Sequence, residues 1–154
     1  MAVDQLGANM ATPSALPHDL VLTLEAPPPP GFGEQLGDAI NAFMAETVPG
    51  EMHRFALRLN DADGVLVGGL SGRFAWGWLF VAALWVHRDR RGQGAGHALL
   101  AAAESHAAAA GCHSVWLDTF QSRAFYEKLG YTVFGALEDY PKGQTRYFMR
   151  KHLG

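Results

Sequence analysis

A run that is apolar on both faces, Trp78 to Val86, passes through His87-Arg88-Asp89-Arg90 into Arg91-Gly92-Gln93-Gly94-Ala95-Gly96. An alanine-rich stretch follows and closes at Gly111. Apolar residues on both sides of a strand suit a central position in a sheet covered on both faces. The glycines turn that strand into a helix expected over Gly94 to Ala110, with Gly111 as its C-terminal stop. A helix that starts at the carboxyl end of a central strand presents N–H groups without intrahelical partners, and its dipole favours negative charge. Such a junction is suited to a phosphate.

The charge distribution agrees with an anionic ligand. Residues 1–53 hold seven acidic groups and no Lys or Arg, whereas the remainder holds twelve basic groups against eight acidic ones. The formal net charge of −3 gives no reason to expect nucleic acid. A single cysteine, Cys112, excludes an intramolecular disulfide framework and reads as a small buried apolar residue. No basic residue supplies the charged start of a secretory signal. The longest apolar run, Leu79 to Val86, is far too short for a bilayer, so a cytoplasmic location is expected.

With 154 residues the chain suits one domain. Residues 1–18 read as a flexible N-terminal arm and residues 19–154 as the domain. Leu20 to Leu24 reads as a first strand, ended by the prolines from Pro27 to Pro30. Leu36, Ile40, Phe43 and Met44 recur at helical spacing between Glu34 and Thr47. His53 to Leu59 and Val65 to Leu70 read as strands joined by the turn residues Asp61-Ala62-Asp63-Gly64, with Ser71 to Gly77 as a connection. Beyond the long helix come a strand at Ser114 to Phe120 and a short helix from Arg123 to Leu129. Two more strands follow, at Tyr131 to Leu137 and Arg146 to Lys151. The expected order is β-α-β-β-β-α-β-α-β-β.

Two other phosphate motifs fail at this junction. A dinucleotide fingerprint needs a third glycine where the chain has His97, and no Gly-Lys-Ser/Thr ends a Walker A loop. The seven histidines lack any His-x-x-x-His spacing, so no metal is expected.

The loop resembles motif A of the GCN5-related N-acetyltransferase (GNAT) superfamily, Gln/Arg-x-x-Gly-x-Gly/Ala, with Arg91, Gly94 and Gly96 in its three fixed positions. Arg123 to Tyr131 resembles the family's motif B, whose helix carries the tyrosine seen here as Tyr126. The resemblance runs from about Leu20 to the C-terminus. It implies an α/β fold with a mixed, mostly antiparallel sheet, a splayed parallel strand pair and helices on both faces. It also implies acetyl-CoA as acyl donor. The diphosphate would lie on Arg91, Gly92, Gln93, Gly94, Ala95 and Gly96, and the pantetheine on backbone groups of Leu84, Trp85 and Val86. Gln121 stands where many members carry an asparagine that contacts the pantetheine.

The implied reaction is acetyl transfer to a primary amine by direct attack on the thioester. Tyr126 is then the candidate proton donor to the departing thiolate and is counted among the cofactor-binding residues. A backbone N–H at or near Val86 would polarise the carbonyl. Asp118 is the tentative general base, with Glu138 and Asp139 as other candidates. The acceptor is expected against Phe32–Glu51, Ser71–Gly77 and the segment after Glu138, with Trp76 and Trp78 as possible lining. Glu46, Glu51, Asp118 and Glu138 would together favour a cationic amine. A non-catalytic acyl-CoA-binding module would need the same phosphate loop. The acceptor's identity and the oligomeric state, a homodimer included, are left open.

Overall fold

The computed structural model describes residues 16–154, so the arm expected over residues 1–18 lies almost wholly outside the described residues. Two compact units divide at Thr47/Val48. In the first, helix α1 spans Phe32–Ala45, two residues earlier than the apolar spacing implied. Gly31 caps it at φ +78°, a backbone conformation that glycine adopts without steric penalty. The strand expected at Leu20–Leu24 is absent: these residues are exposed and belong to no ladder. Their alternation is real, but a strand exists only where a neighbour pairs its N–H and C=O groups.

The second unit is a six-stranded mixed sheet. Its strands are β1 (His53–Asn60), β2 (Leu66–Ala75), β3 (Trp78–Val86), β4 (Ser114–Thr119), β5 (Thr132–Glu138) and β6 (Thr145–His152). Their spatial order is β1-β2-β3-β4-β6-β5. Helix α2 (Ala95–Ala109) joins β3 to β4, and the short α3 (Arg123–Lys128) joins β4 to β5. Every neighbouring pair is antiparallel except β3 and β4, as a helical crossover requires.

The β1–β2 turn follows its sequence chemistry, since Asp61 Oδ1 accepts the N–H groups of Asp63 (3.0 Å) and Val65 (2.9 Å). The connection expected at Ser71–Gly77 is instead the continuation of β2, and only Trp76 and Gly77 form the turn into β3. Glycine interrupts the strand signal there for a packing reason. A Cβ on Gly72 would lie 2.9 Å from the carbonyl oxygen of Phe80 and 3.2 Å from the Phe55 ring.

The core gathers Leu79 and Val81 of β3, Val115 and Leu117 of β4 and Met149 of β6 against Leu99, Leu100, Ala103 and Ala107 of α2. Alanine at positions 103 and 107 lets α2 lie close on the sheet. Cys112 is buried there, and burial raises its thiol pKa, as expected of an inert cysteine. Tyr126 of α3 and Tyr131 complete this core, with their rings edge to face. The Tyr131 hydroxyl donates to Glu104 Oε1 (2.7 Å), and Lys151 Nζ donates to Glu104 Oε2 (2.7 Å), tying α2 to the far strands.

Burial, and then the Glu104 carboxylate, push the Tyr131 phenol up; burial, and then Asp118, do the same to Tyr126. A raised folded-state value means that the unfolded phenol ionises first, and wherever it does so the unfolded chain is favoured. The stability from both groups is therefore complete below about pH 10 and is lost as pH climbs beyond it. Thermal melts should hold level from pH 8 to 9.5 and fall steeply by pH 11. A melting temperature unchanged at pH 11 would contradict the burial of these two phenols.

Candidate active site

The parallel pair separates early. β3 and β4 pair only at Trp78↔Ser114, Leu79↔Val115 and Phe80↔Trp116. Beyond Phe80 the strands diverge, helped by an irregularity where β2 shifts register between Ser71 and Gly72 and Ala82 is left without a partner. From Val81 onward the β4-facing edge of β3 therefore has no strand beside it. The resulting gap encloses about 270 Å³ and is walled by Val81–Leu84 on one side and Leu117–Thr119 on the other. Phe120–Ser122, Tyr126 and Arg146 close it.

The gap brings together Leu84, Asp118, Gln121 and Tyr126 of the residues singled out in the sequence. Trp85 and Val86 follow on the same strand beyond its lining, and the Val86 carbonyl accepts a hydrogen bond from Arg91 Nε (3.0 Å). The β3 residues that line the gap are Val81–Leu84, just before the Val86 position named for carbonyl polarisation. Tyr126 is 8 % exposed, and its hydroxyl has no hydrogen-bond partner among the described residues. Its ring is held edge-on by Phe125.

The glycine loop lies at the carboxyl end of β3. A single 3-10 turn, Arg88–Arg90, precedes it, and α2 begins at Ala95 with Gly94 as its cap. Gly92 and Gly94 have φ of +74° and +85°, and a Cβ on either would point into open space. Both glycines are thus required by backbone conformation and leave the surface bare for a ligand. Among the described residues the backbone N–H groups of residues 92–97 have no hydrogen-bond partner, whereas Ala98 already donates to Gly94 (2.9 Å). Gly96 has a different role: a Cβ there would lie 3.2 Å from the Phe125 ring, so it lets α2 pack against α3. Arg88 is highly exposed beside the loop.

Other expectations separate in space. Trp76 and Trp78 stand at the start of β3, at the opposite end of the strand from the gap. Glu51 lines a shallow pocket there with Trp76 and Cys112, so it does not converge with Asp118. Asp139 is a turn residue at φ +57° whose Oδ1 accepts the Gly143 N–H, and Glu138 is exposed at the end of β5.

Arg146, not singled out from the sequence, is the main addition. It pairs with Asp118 through Nη1, and both side chains are about a quarter exposed, at 24 % and 26 %. Asp118 faces Phe148 across the ladder, which makes Arg146 its diagonal neighbour. An acidic and a basic residue inside two apolar strands were the available signal, but their pairing needs the register.

Comparison with known proteins agrees with this geometry. The model of the acetyltransferase (GNAT) family matches residues 19–131. The blasticidin-S acetyltransferase of Streptomyces morookaense is 41% identical over 93 residues, which span 58% of this chain and 68% of that protein. A crystal structure of an acetyltransferase from Bacillus cereus shares 30% identity with a TM-score of 0.70, covering 78% of this chain and 90% of that one. An aminoglycoside 6'-N-acetyltransferase solved with coenzyme A shares the fold at 20% identity and a TM-score of 0.59, over 88% of this chain and 98% of that one. Strand order, parallel pair and family match thus converge, and the chain belongs to the acetyltransferase (GNAT) family as an N-acetyltransferase.

Proposed function

We propose that this acetyltransferase uses acetyl-CoA to acetylate a primary amine by direct attack in the gap between β3 and β4. The observation that carries the reading is the early separation of the parallel pair, which leaves one edge of β3 unpaired along the line from the glycine loop to Tyr126. The free N–H groups at residues 92–97 suit a diphosphate, with Arg88, Arg90 and Arg91 as cationic donors and the bare surface of Gly92 and Gly94 permitting close approach. The pantetheine amides would take the unpaired groups of β3 through Leu84, Trp85 and Val86, with the Gln121 amide facing them. A strand's N–H and C=O groups suit an extended amide chain laid beside them.

The chemistry then balances as follows. The ammonium loses a proton to water, and the neutral nitrogen attacks the thioester carbonyl carbon while a β3 N–H near Ala82 holds the developing oxyanion. The C–N bond forms and the C–S bond breaks. Tyr126 gives its phenolic proton to the thiolate and regains one from the acylated nitrogen through water. Burial keeps that phenol protonated at neutral pH. Asp118, the tentative general base, is engaged by Arg146, and in this reading its charge is balanced there and water takes the proton.

None of the described helices is long and apolar enough to cross a membrane, and a cytoplasmic enzyme is the setting we assign. A thermal-shift comparison of acetyl-CoA, CoA, ATP and NAD tests the donor. CoA or acetyl-CoA at a hundredfold excess over Kd should add about 2.7 kcal/mol, or roughly 5–10 °C, and ATP and NAD much less. Release of CoA thiol across an amine panel tests the acceptor; blasticidin S belongs in that panel because of the Streptomyces relative. Stabilisation by CoA with no thiol release from any amine would replace this reading with a binding module.

A further inference from the structure

The Arg146–Asp118 pair lines the β4 side of the gap, joining β4 to β6. Arg146 is held there by more than Asp118. Its guanidinium lies over the rings of Tyr140 (4.4 Å) and Phe120 (5.3 Å). Its Nε is buried with no partner among the described residues. The ionisable groups facing the gap come from three elements: Asp118 from β4, Tyr126 from α3 and Arg146 from β6, with Tyr140 stacked behind Arg146. The β3 wall, Val81–Leu84, and the Phe120–Ser122 segment add no charge.

Resting on the reading that an amine attacks in this gap, we infer that Arg146 is a positioning residue that sets the protonation state of the acceptor through Asp118. An alkylammonium titrates near pH 10.4 in water and can attack only after losing its proton. An unpaired carboxylate within about 4–6 Å would favour the charged form by one or more pH units and hold the amine inert. Arg146 removes that effect by neutralising Asp118 in advance. The pair leaves a polar, charge-balanced mouth that admits a cation without trapping it. The substrate class that fits is a primary amine that is cationic in solution and enters without a dedicated counter-ion.

Single-turnover acetyl transfer at saturating amine, followed as CoA thiol release against pH, tests this, because it reports groups in the bound complex. In Arg146→Met the acidic limb should move to higher pH by about one unit. In Asp118→Asn, where the guanidinium stands alone, it should move to lower pH. The double variant should return close to the wild type. A purely structural role scales the rate without moving the limb. Unmoved limbs, or limbs that move in the same direction in both single variants, would overturn the proposal while leaving the proposed reaction intact. If Arg146→Met does not fold, Asp118→Asn and the double variant still decide the sign. Wild-type protein that acetylates no amine at any pH removes the underlying reading, and this one with it.

Discussion

Tyr126→Phe should lower kcat by about two orders of magnitude while leaving the affinity for CoA unchanged, because the loss falls on a proton transfer and not on a contact with the cofactor. The Tyr126 ring belongs to the core beside Phe125 and Tyr131, and phenylalanine preserves that packing. The hydroxyl has no partner within the described residues, so its removal leaves no orphaned group and the melting temperature should barely move. The deficit should also depend on the acyl donor. An acetyl thioester with a more acidic thiol needs less help in departing, so an activated donor should recover much of the lost rate. The wild-type rate should show no alkaline fall below about pH 10, since burial and Asp118 keep the phenol protonated. A variant with normal kcat, or one whose deficit is entirely in CoA affinity, would remove Tyr126 from the proton path.

How much of this was readable beforehand depended on whether the signal was local. The turn at Asp61–Gly64, the stop at Gly111 and the start of α2 after Gly94 each follow from a few adjacent residues, and each stands where the sequence put it. Motifs A and B carried the parallel pair and the placement of Tyr126 beside the gap, because they resemble a family whose fold repeats that arrangement. What was not readable depends on partners distant in sequence. Leu20–Leu24 has the alternation of a strand but no ladder to join. Gly72 lies in a stretch that looks like a connection and is strand, and the Phe80 carbonyl oxygen stands where its side chain would have been. The partner of Asp118 was not readable, since only the β4–β6 register places Arg146 on its diagonal. The extent of the gap was unreadable for a similar reason, since it begins beside a bulge at Ala82 that no local pattern announces.

Gly94→Glu should weaken CoA binding by at least a hundredfold, the largest loss expected of any single change in the loop. Two effects combine. At φ +85° a residue with a Cβ is strained by about 1–2 kcal/mol, so the helix start is destabilised even without ligand. The new carboxylate would then stand against the N–H groups of residues 92–97, where a diphosphate is proposed to sit, and like charges at such a contact cost several kcal/mol. Gly94→Ala separates the two effects. It should lower the melting temperature by a few degrees through strain alone, because nothing lies within 4 Å of its Cβ, and reduce CoA affinity only modestly. Raising salt should partly restore CoA binding to the Glu variant but not to the Ala variant, since screening acts on charge and not on backbone strain. Equal losses in the two variants would mean that the loop's conformation matters but that no anion rests on it. Unaltered CoA affinity in the Glu variant would place the diphosphate elsewhere, and the path from the loop along β3 to Tyr126 would lose its starting point.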